Sequence, residues 1–139
     1  MKFLLDTNVV SEPARPIPDA GLMSWLQAQE PDDLGLSVLT AGELRLGVSQ
    51  LPLGQRRRSI EAWLAQLLTE FNSRIIPIDM DVAMVWGDLV ARHRQQGRKA
   101  GAIDELLAAT AITHDLTLVT RNRRHFEASG CKLHCPWSA

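Results

Sequence analysis

The sequence carries almost no net charge, has two cysteines and no tyrosine, and contains no apolar run long enough to cross a bilayer. Each shortage closes off a class of protein. Lys+Arg number 15 and Asp+Glu 16, a net −1 at pH 7, so no global field draws the chain to nucleic acid or to a membrane surface. Local patches and bound cations can still set the field at a site. Cys131 and Cys135 do not make a disulfide framework. With His134 and His125 they invite a zinc site, but neither spacing nor ligand count suits one. Cys131, Leu133 and Cys135 alternate as one face of a strand, which reads as ordinary half-buried thiols. Lys2 and the apolar residues after it resemble the start of a signal peptide. Asp6, Asn8, Ser11 and Glu12 interrupt that run too early. The expectation is a cytoplasmic protein without membrane contact.

What is present is ordinary in bulk. An apolar fraction of 45% and a charged fraction of 22% over 139 residues describe a globular chain able to bury a core. No repeat, low-complexity tract or linker divides it, so residues 1–139 are expected to form a single domain. Short apolar runs at Phe3–Leu5, Leu34–Ser37, Arg74–Ile78, Leu116–Thr120 and Lys132–His134 read as strands. Between them, helical spacing marks Val9–Glu12, a segment capped by Asp19, and Val38–Gln50. Further apolar stripes run from Ile60 to Phe71 and from Val82 to Val90, the latter capped by Asp79 or Asp81. Ile103–His114 is an alanine-rich helix, and Arg121–Glu127 reads as a short one. Strands alternating with helices predict an α/β fold with a mostly parallel sheet of four to five short strands.

The most informative stretch is Phe3-Leu4-Leu5-Asp6-Thr7-Asn8, where an apolar strand runs into a carboxylate, a hydroxyl and a carboxamide. Ligands collect beyond the carboxyl ends of strands in open α/β sheets. Asp, Thr and Asn are equally good helix caps. Glu43 follows the second strand, Asp104 opens the alanine-rich helix, and Asn122 follows the strand that ends at Thr120. In a parallel sheet all four positions can converge at one edge. Gathered carboxylates repel unless a proton or cation joins them, and a hard divalent ion takes such oxygen ligands. Asp6 and Asp104 then read as ligands, and Glu43 as a second ligand or the group that orients a water. Thr7, Asn8 and Thr120 read as supporting hydrogen-bond partners. Each residue has a plainer role as well. Asp104 beside Glu105 suits a helix dipole, Glu43 could be a solvated helical residue, and Asn122 is a natural helix cap.

Taken together, Leu5-Asp6-Thr7-Asn8-Val9, Ala41-Gly42-Glu43-Leu44, Asp104-Glu105-Leu106-Leu107-Ala108-Ala109-Thr110-Ala111 and Val119-Thr120-Arg121-Asn122 resemble the PIN-domain ribonucleases. More narrowly they resemble the VapC and FitB toxins of bacterial toxin–antitoxin pairs. The resemblance implies a three-layer α/β/α fold and an endoribonuclease dependent on Mg²⁺, or Mn²⁺, that is inhibited by a small antitoxin. It places the family's acidic positions on Asp6, Glu43 and Asp104. The fourth, often Asp, falls on Asn122, which removes one charge and bears on a second metal ion more than on catalysis. A homodimer is also implied.

For substrate phosphates the candidates are Arg121, Arg123 and Arg124, with Arg98 and Lys99 in the loop before Asp104. Arg56-Arg57-Arg58 reads as a solvated helix face. Base-stacking aromatics are not evident, since Trp63 and Trp86 lie on core-facing stripes. RNA rather than DNA rests on the resemblance alone. Two rivals remain: a phosphatase with Asp6 as nucleophile, and a binding module that kept the fold and lost the chemistry.

Overall fold

A computed structural model describes residues 1–138. The chain runs β1 (Phe3–Leu5), α1 (Thr7–Ser11), α2 (Ala20–Ala28), β2 (Leu34–Ser37), α3 (Val38–Ser49), α4 (Gln55–Glu70), β3 (Ile75–Ile76), α5 (Met80–Gln95), α6 (Ala102–Thr113), β4 (Thr117–Val119) and β5 (Lys132–His134). Short 3-10 turns fill several connections, among them Glu12–Ala14, Asn72–Arg74, Arg123–His125 and Glu127–Ser129.

The sheet has five strands in the order β3-β2-β1-β4-β5, and every neighbouring pair is parallel. β1 lies at its centre, with Leu4 opposite Gly35 on one side and opposite Leu118 on the other. Leu4 and Leu5 point to opposite faces and both are fully buried, as a strand covered on both sides requires. Leu5 joins a core with Val9, Leu22, Leu36, Leu44 and Leu64. Leu4 joins another with Leu89, Leu107, Ala108, Ala111 and Leu118. The result is three layers: helices, sheet, helices. On α6, Ala108 and Ala111 have no exposed surface to speak of. Side chains that small let the helix backbone lie close to the sheet.

Local chemistry explains most helix starts. Asp19 accepts from Leu22 N at 2.9 Å, Ser37 from Leu39 N at 3.0 Å, and Asp79 from Val82 N at 3.1 Å. The cap of α5 is therefore Asp79 and not Asp81. α5 ends in a Schellman motif: Gly97 (φ +68) donates to Arg94 O at 3.1 Å, and Arg98 N to His93 O at 2.8 Å.

Several elements depart from the sequence expectation. The first helix begins at Thr7 and not Val9, because Asp6 caps it. The strand expected over Arg74–Ile78 contracts to two residues, since Arg74 closes a 3-10 turn and Pro77 has no N–H to pair. The helix expected over Arg121–Glu127 is two 3-10 turns broken at Phe126. That break drives the Phe126 ring into the core under α6 and leaves Arg123, Arg124 and His125 exposed. Arg57 leaves the solvated face to pair with Glu61 at 2.9 Å and to reach Leu51 O at 3.3 Å.

Candidate metal centre

The strand order reverses at β1. The chain passes from β1 outward to β2 and β3, then returns to the other side of β1 as β4. The crevice between the carboxyl ends of β1 and β4 is the topological switch point where open α/β sheets bind ligands. Asp6 and Thr120 are the first residues beyond the paired Leu5 and Val119. The backbones fix them in place: Asp6 N donates to Val119 O at 2.9 Å, tying β1 to β4, and Thr120 N to His134 O at 3.0 Å, tying β4 to β5.

Asp6 is both cap and candidate ligand. Its Oδ1 accepts from Thr7 N at 2.8 Å and its Oδ2 from Thr120 Oγ1 at 2.8 Å. The residue is only 8% exposed. Thr7 in turn donates its hydroxyl to Glu43 Oε1 at 2.7 Å, which ties α1 to α3. Thr120 Oγ1 accepts from Asn122 N at 3.0 Å, and Asn8 Oδ1 from Arg121 N at 3.3 Å. Asp104 arrives from the other helical layer. α6 leads into β4, so it runs against the strands and sets its first turn over their carboxyl edge. Gly101, its N-cap, offers no side chain.

The electrostatics agree with this convergence. Burial pushes the Asp6 carboxyl above the usual range, and the charge of Asp104 pushes it further, against the hydrogen bonds from Thr120 and Thr7. Asp104 is also raised, first by burial and then by Glu43, with His125 opposing. Three acidic side chains therefore share one field. Among the described residues no three His, Cys, Asp or Glu side chains form a ready-made metal cage. The oxygen-only donor set nevertheless suits a hard ion that keeps several waters and takes one or two carboxylates.

The candidate cations divide. Arg98, Lys99 and Arg124 line a cavity of about 440 Å³ together with Asp104 and His125. Arg121 and Arg123 line a neighbouring hollow around Asn122. The Arg121 guanidinium lies over the Trp137 ring, 5.8 Å from its centroid. Arg92 Nη2 donates to Ser129 O at 2.8 Å, which anchors the turns that carry Arg123 and Arg124. Sequence reasoning missed His125, whose Nδ1 lies 3.6 Å from Asp104 Oδ2. The signal was a histidine three residues beyond Asn122 in a basic turn, set aside with the cysteines. Cys131 meets Ser129 Oγ at 3.2 Å and, with Leu133, packs on the core under α6.

This α/β architecture with an acidic cleft at its switch point is that of a PIN domain. The PIN domain family matches residues 3–130, and the chain belongs to that family. The chain is 38% identical to Toxin FitB of Neisseria gonorrhoeae, covering 97% of this chain and 98% of that one. It is 36% identical to VapC ribonuclease Y4jK of Sinorhizobium fredii over 97% of each. The crystal structure of FitAcB from Neisseria gonorrhoeae superposes with a TM-score of 0.92 and 38% identity over 99% of both chains. No helix among the described residues is long and apolar enough to cross a membrane.

Proposed function

We propose that this chain is an endoribonuclease, the toxin of a toxin–antitoxin pair, which hydrolyses RNA phosphodiester bonds at a site for Mg²⁺ or Mn²⁺. The observation that carries the reading is the placement of Asp6 at the switch point, its oxygens held by the Thr7 amide and the Thr120 hydroxyl, with Glu43 tied to it through the Thr7 hydroxyl. Two relatives whose names are those of a toxin and a ribonuclease match nearly the whole chain. They support the same assignment.

Asp6 and Asp104 would hold the ion, with Glu43 as a further ligand or as the base that orients the attacking water. A bound divalent ion lowers the pKa of its water and neutralises charge developing on the phosphoryl oxygen. Thr120 and the Thr7 amide fix both oxygens of Asp6 in orientation, and Thr7 does the same for Glu43. Asn8 pins the backbone of Arg121. Asn122, exposed and joined to Thr120 through its backbone, presents a neutral amide at the rim. Arg98, Lys99 and Arg124, and more weakly Arg121 and Arg123, neutralise RNA phosphates flanking the scissile bond.

The phosphatase reading fits less well. Such an enzyme wants a second carboxyl two residues on as its acid and base, whereas that position is Asn8, whose Oδ1 accepts from Arg121 N. A non-catalytic module gives no reason to keep carboxylates that burial, and then one another's charge, push above the usual range. The chain acts in the cytoplasm, where its RNA substrate lies. A small antitoxin protein holds it inactive there, and the chain itself forms a homodimer.

The test is cleavage of mixed RNA by partner-free protein in Mg²⁺, Mn²⁺ and EDTA, with Asp6→Asn and Asp104→Asn as folded controls. Metal-dependent cleavage abolished by both substitutions is the expected result. A folded protein that cuts no RNA with either ion would overturn the reading.

A further inference from the structure

Behind Asp104 lies a second polar pair that the chemistry above does not use. His93, in the last turn of α5, is 4% exposed, and Glu105, in the first turn of α6, is 9% exposed. His93 Nδ1 stands 2.9 Å from Glu105 Oε2. In the tautomer with the proton on Nδ1, the ring donates and the carboxylate accepts. Burying a carboxylate is costly unless it is paired. Among the described residues His93 is the one hydrogen-bond partner of the Glu105 side chain. His93 Nε2 is buried and finds no partner among them.

The position of the pair is what matters. The carbonyl of His93 takes the Arg98 amide at 2.8 Å in the motif that ends α5, while its ring takes Glu105. One residue thus fixes both ends of the loop that carries Arg98 and Lys99. Gly101, at the start of α6, supplies no capping side chain, so the first turn is not held from its own N-cap. The bond to Glu105 supplies that hold, one residue beyond Asp104. His93 also lines the cavity shared by Asp104, Arg98 and Lys99.

We propose that His93 and Glu105 are positioning residues: their buried hydrogen bond sets the first turn of α6, and with it the Asp104 carboxylate and the basic loop before it. The role rests on the nuclease reading only insofar as Asp104 holds metal. It touches neither ion nor RNA. Outer partners of this kind characteristically change metal affinity or activity by about 10- to 100-fold when removed.

The experiment has two arms. Calorimetric Mn²⁺ binding to RNA-free protein compares the unaltered chain with Asp104→Asn, Glu105→Ala and Glu105→Gln. Hydrogen exchange on metal-free protein follows residues 98–105 against the sheet. Glu105→Ala should weaken Mn²⁺ binding by about tenfold or more and speed exchange selectively in 98–105. Glu105→Gln, which keeps an acceptor for Nδ1–H, should restore both to within a few-fold. In turnover, kcat should fall more than KM rises. Should Glu105→Ala fold poorly, His93→Phe with Glu105→Leu removes the bond without stranding either partner and should give the same selective loosening. Unchanged Mn²⁺ affinity in folded Glu105→Ala, or exchange that rises evenly over the chain, would overturn the positioning role. If the unaltered chain binds no Mn²⁺, or Asp104→Asn binds it equally well, the ligand reading falls, and the exchange arm still decides whether the pair holds the loop.

Discussion

The Thr120 hydroxyl donates to the Asp6 carboxylate across 2.8 Å, joining the ends of adjacent strands that stand 114 residues apart in the chain. The same oxygen accepts from Asn122 N at 3.0 Å, so one small side chain orients a buried carboxylate and the turn that follows β4. Thr120→Val keeps the shape and removes both bonds. It should cost about 1–3 kcal/mol in stability, the usual penalty for stranding buried polar groups. Cleavage should slow by about 10- to 100-fold. Urea unfolding together with single-turnover kinetics would check both.

Asp6→Asn should stabilise the metal-free protein at neutral pH. An amide can still accept from Thr7 N, and its NH₂ can donate to a reoriented Thr120 hydroxyl. Because the folded Asp6 carboxyl is raised above 3.8, mainly by burial, the folded state holds more protons than the unfolded one between 3.8 and the raised value. Stability of the unaltered chain therefore falls as pH rises through that window. The advantage of Asp6→Asn should vanish as pH drops to about 3.8 and reach a plateau above the raised value. Adding Mg²⁺ at neutral pH should reverse the order, since binding to the folded state alone stabilises it. Chemical denaturation at several pH values, with and without Mg²⁺, measures each part.

The basic residues should separate by position. Arg98→Gln with Lys99→Gln removes two charges from the cavity beside Asp104. It should raise KM, leave kcat nearly unchanged, and flatten the salt dependence by about 0.7 log units per lost contact with single-stranded RNA. Arg121→Gln should do less, because that guanidinium lies over Trp137. Initial rates over a salt series would distinguish them.

Gly21→Ala tests the closing segment. A Cβ there would meet Pro136 O at 2.8 Å and Ser138 Oγ at 2.8 Å. It would displace the tail that caps onto Asp19 through Ser138 N at 3.0 Å. Overpacking of this kind costs about 1–3 kcal/mol. Thermal unfolding would register it, as would a change in tryptophan fluorescence, to which Trp137 contributes beside Trp25, Trp63 and Trp86.

Much of this was legible in the chain, and the residues show why. Asp6, Glu43, Asp104 and Asn122 each sit just beyond a strand or within the first turns of a helix. Period and order therefore suggested that they can share one edge of a parallel sheet, and the family resemblance turned that into a site. Asp6 also shows that capping a helix and lining the crevice are not alternatives, since one oxygen accepts from the Thr7 amide and the other from the Thr120 hydroxyl just beyond β4. The pair His93–Glu105 was not legible: twelve positions apart, the two meet only through the packing of α5 on α6. The turns around Phe126 depart from the helical spacing for the same reason, since a tertiary anchor overrides it. Pro77, by contrast, is a local signal that ends β3 early.

The central place of β1 also sets an order in time. Asp6 is made 114 residues before its partner Thr120, just beyond β4. At about 5–20 residues per second, several seconds separate them. Until β4 emerges, Asp6 has neither Thr120 beside it nor the edge over which α6 would set Asp104. A chain arrested anywhere before that strand therefore lacks the crevice in which Asp6 meets Thr120 and feels Asp104.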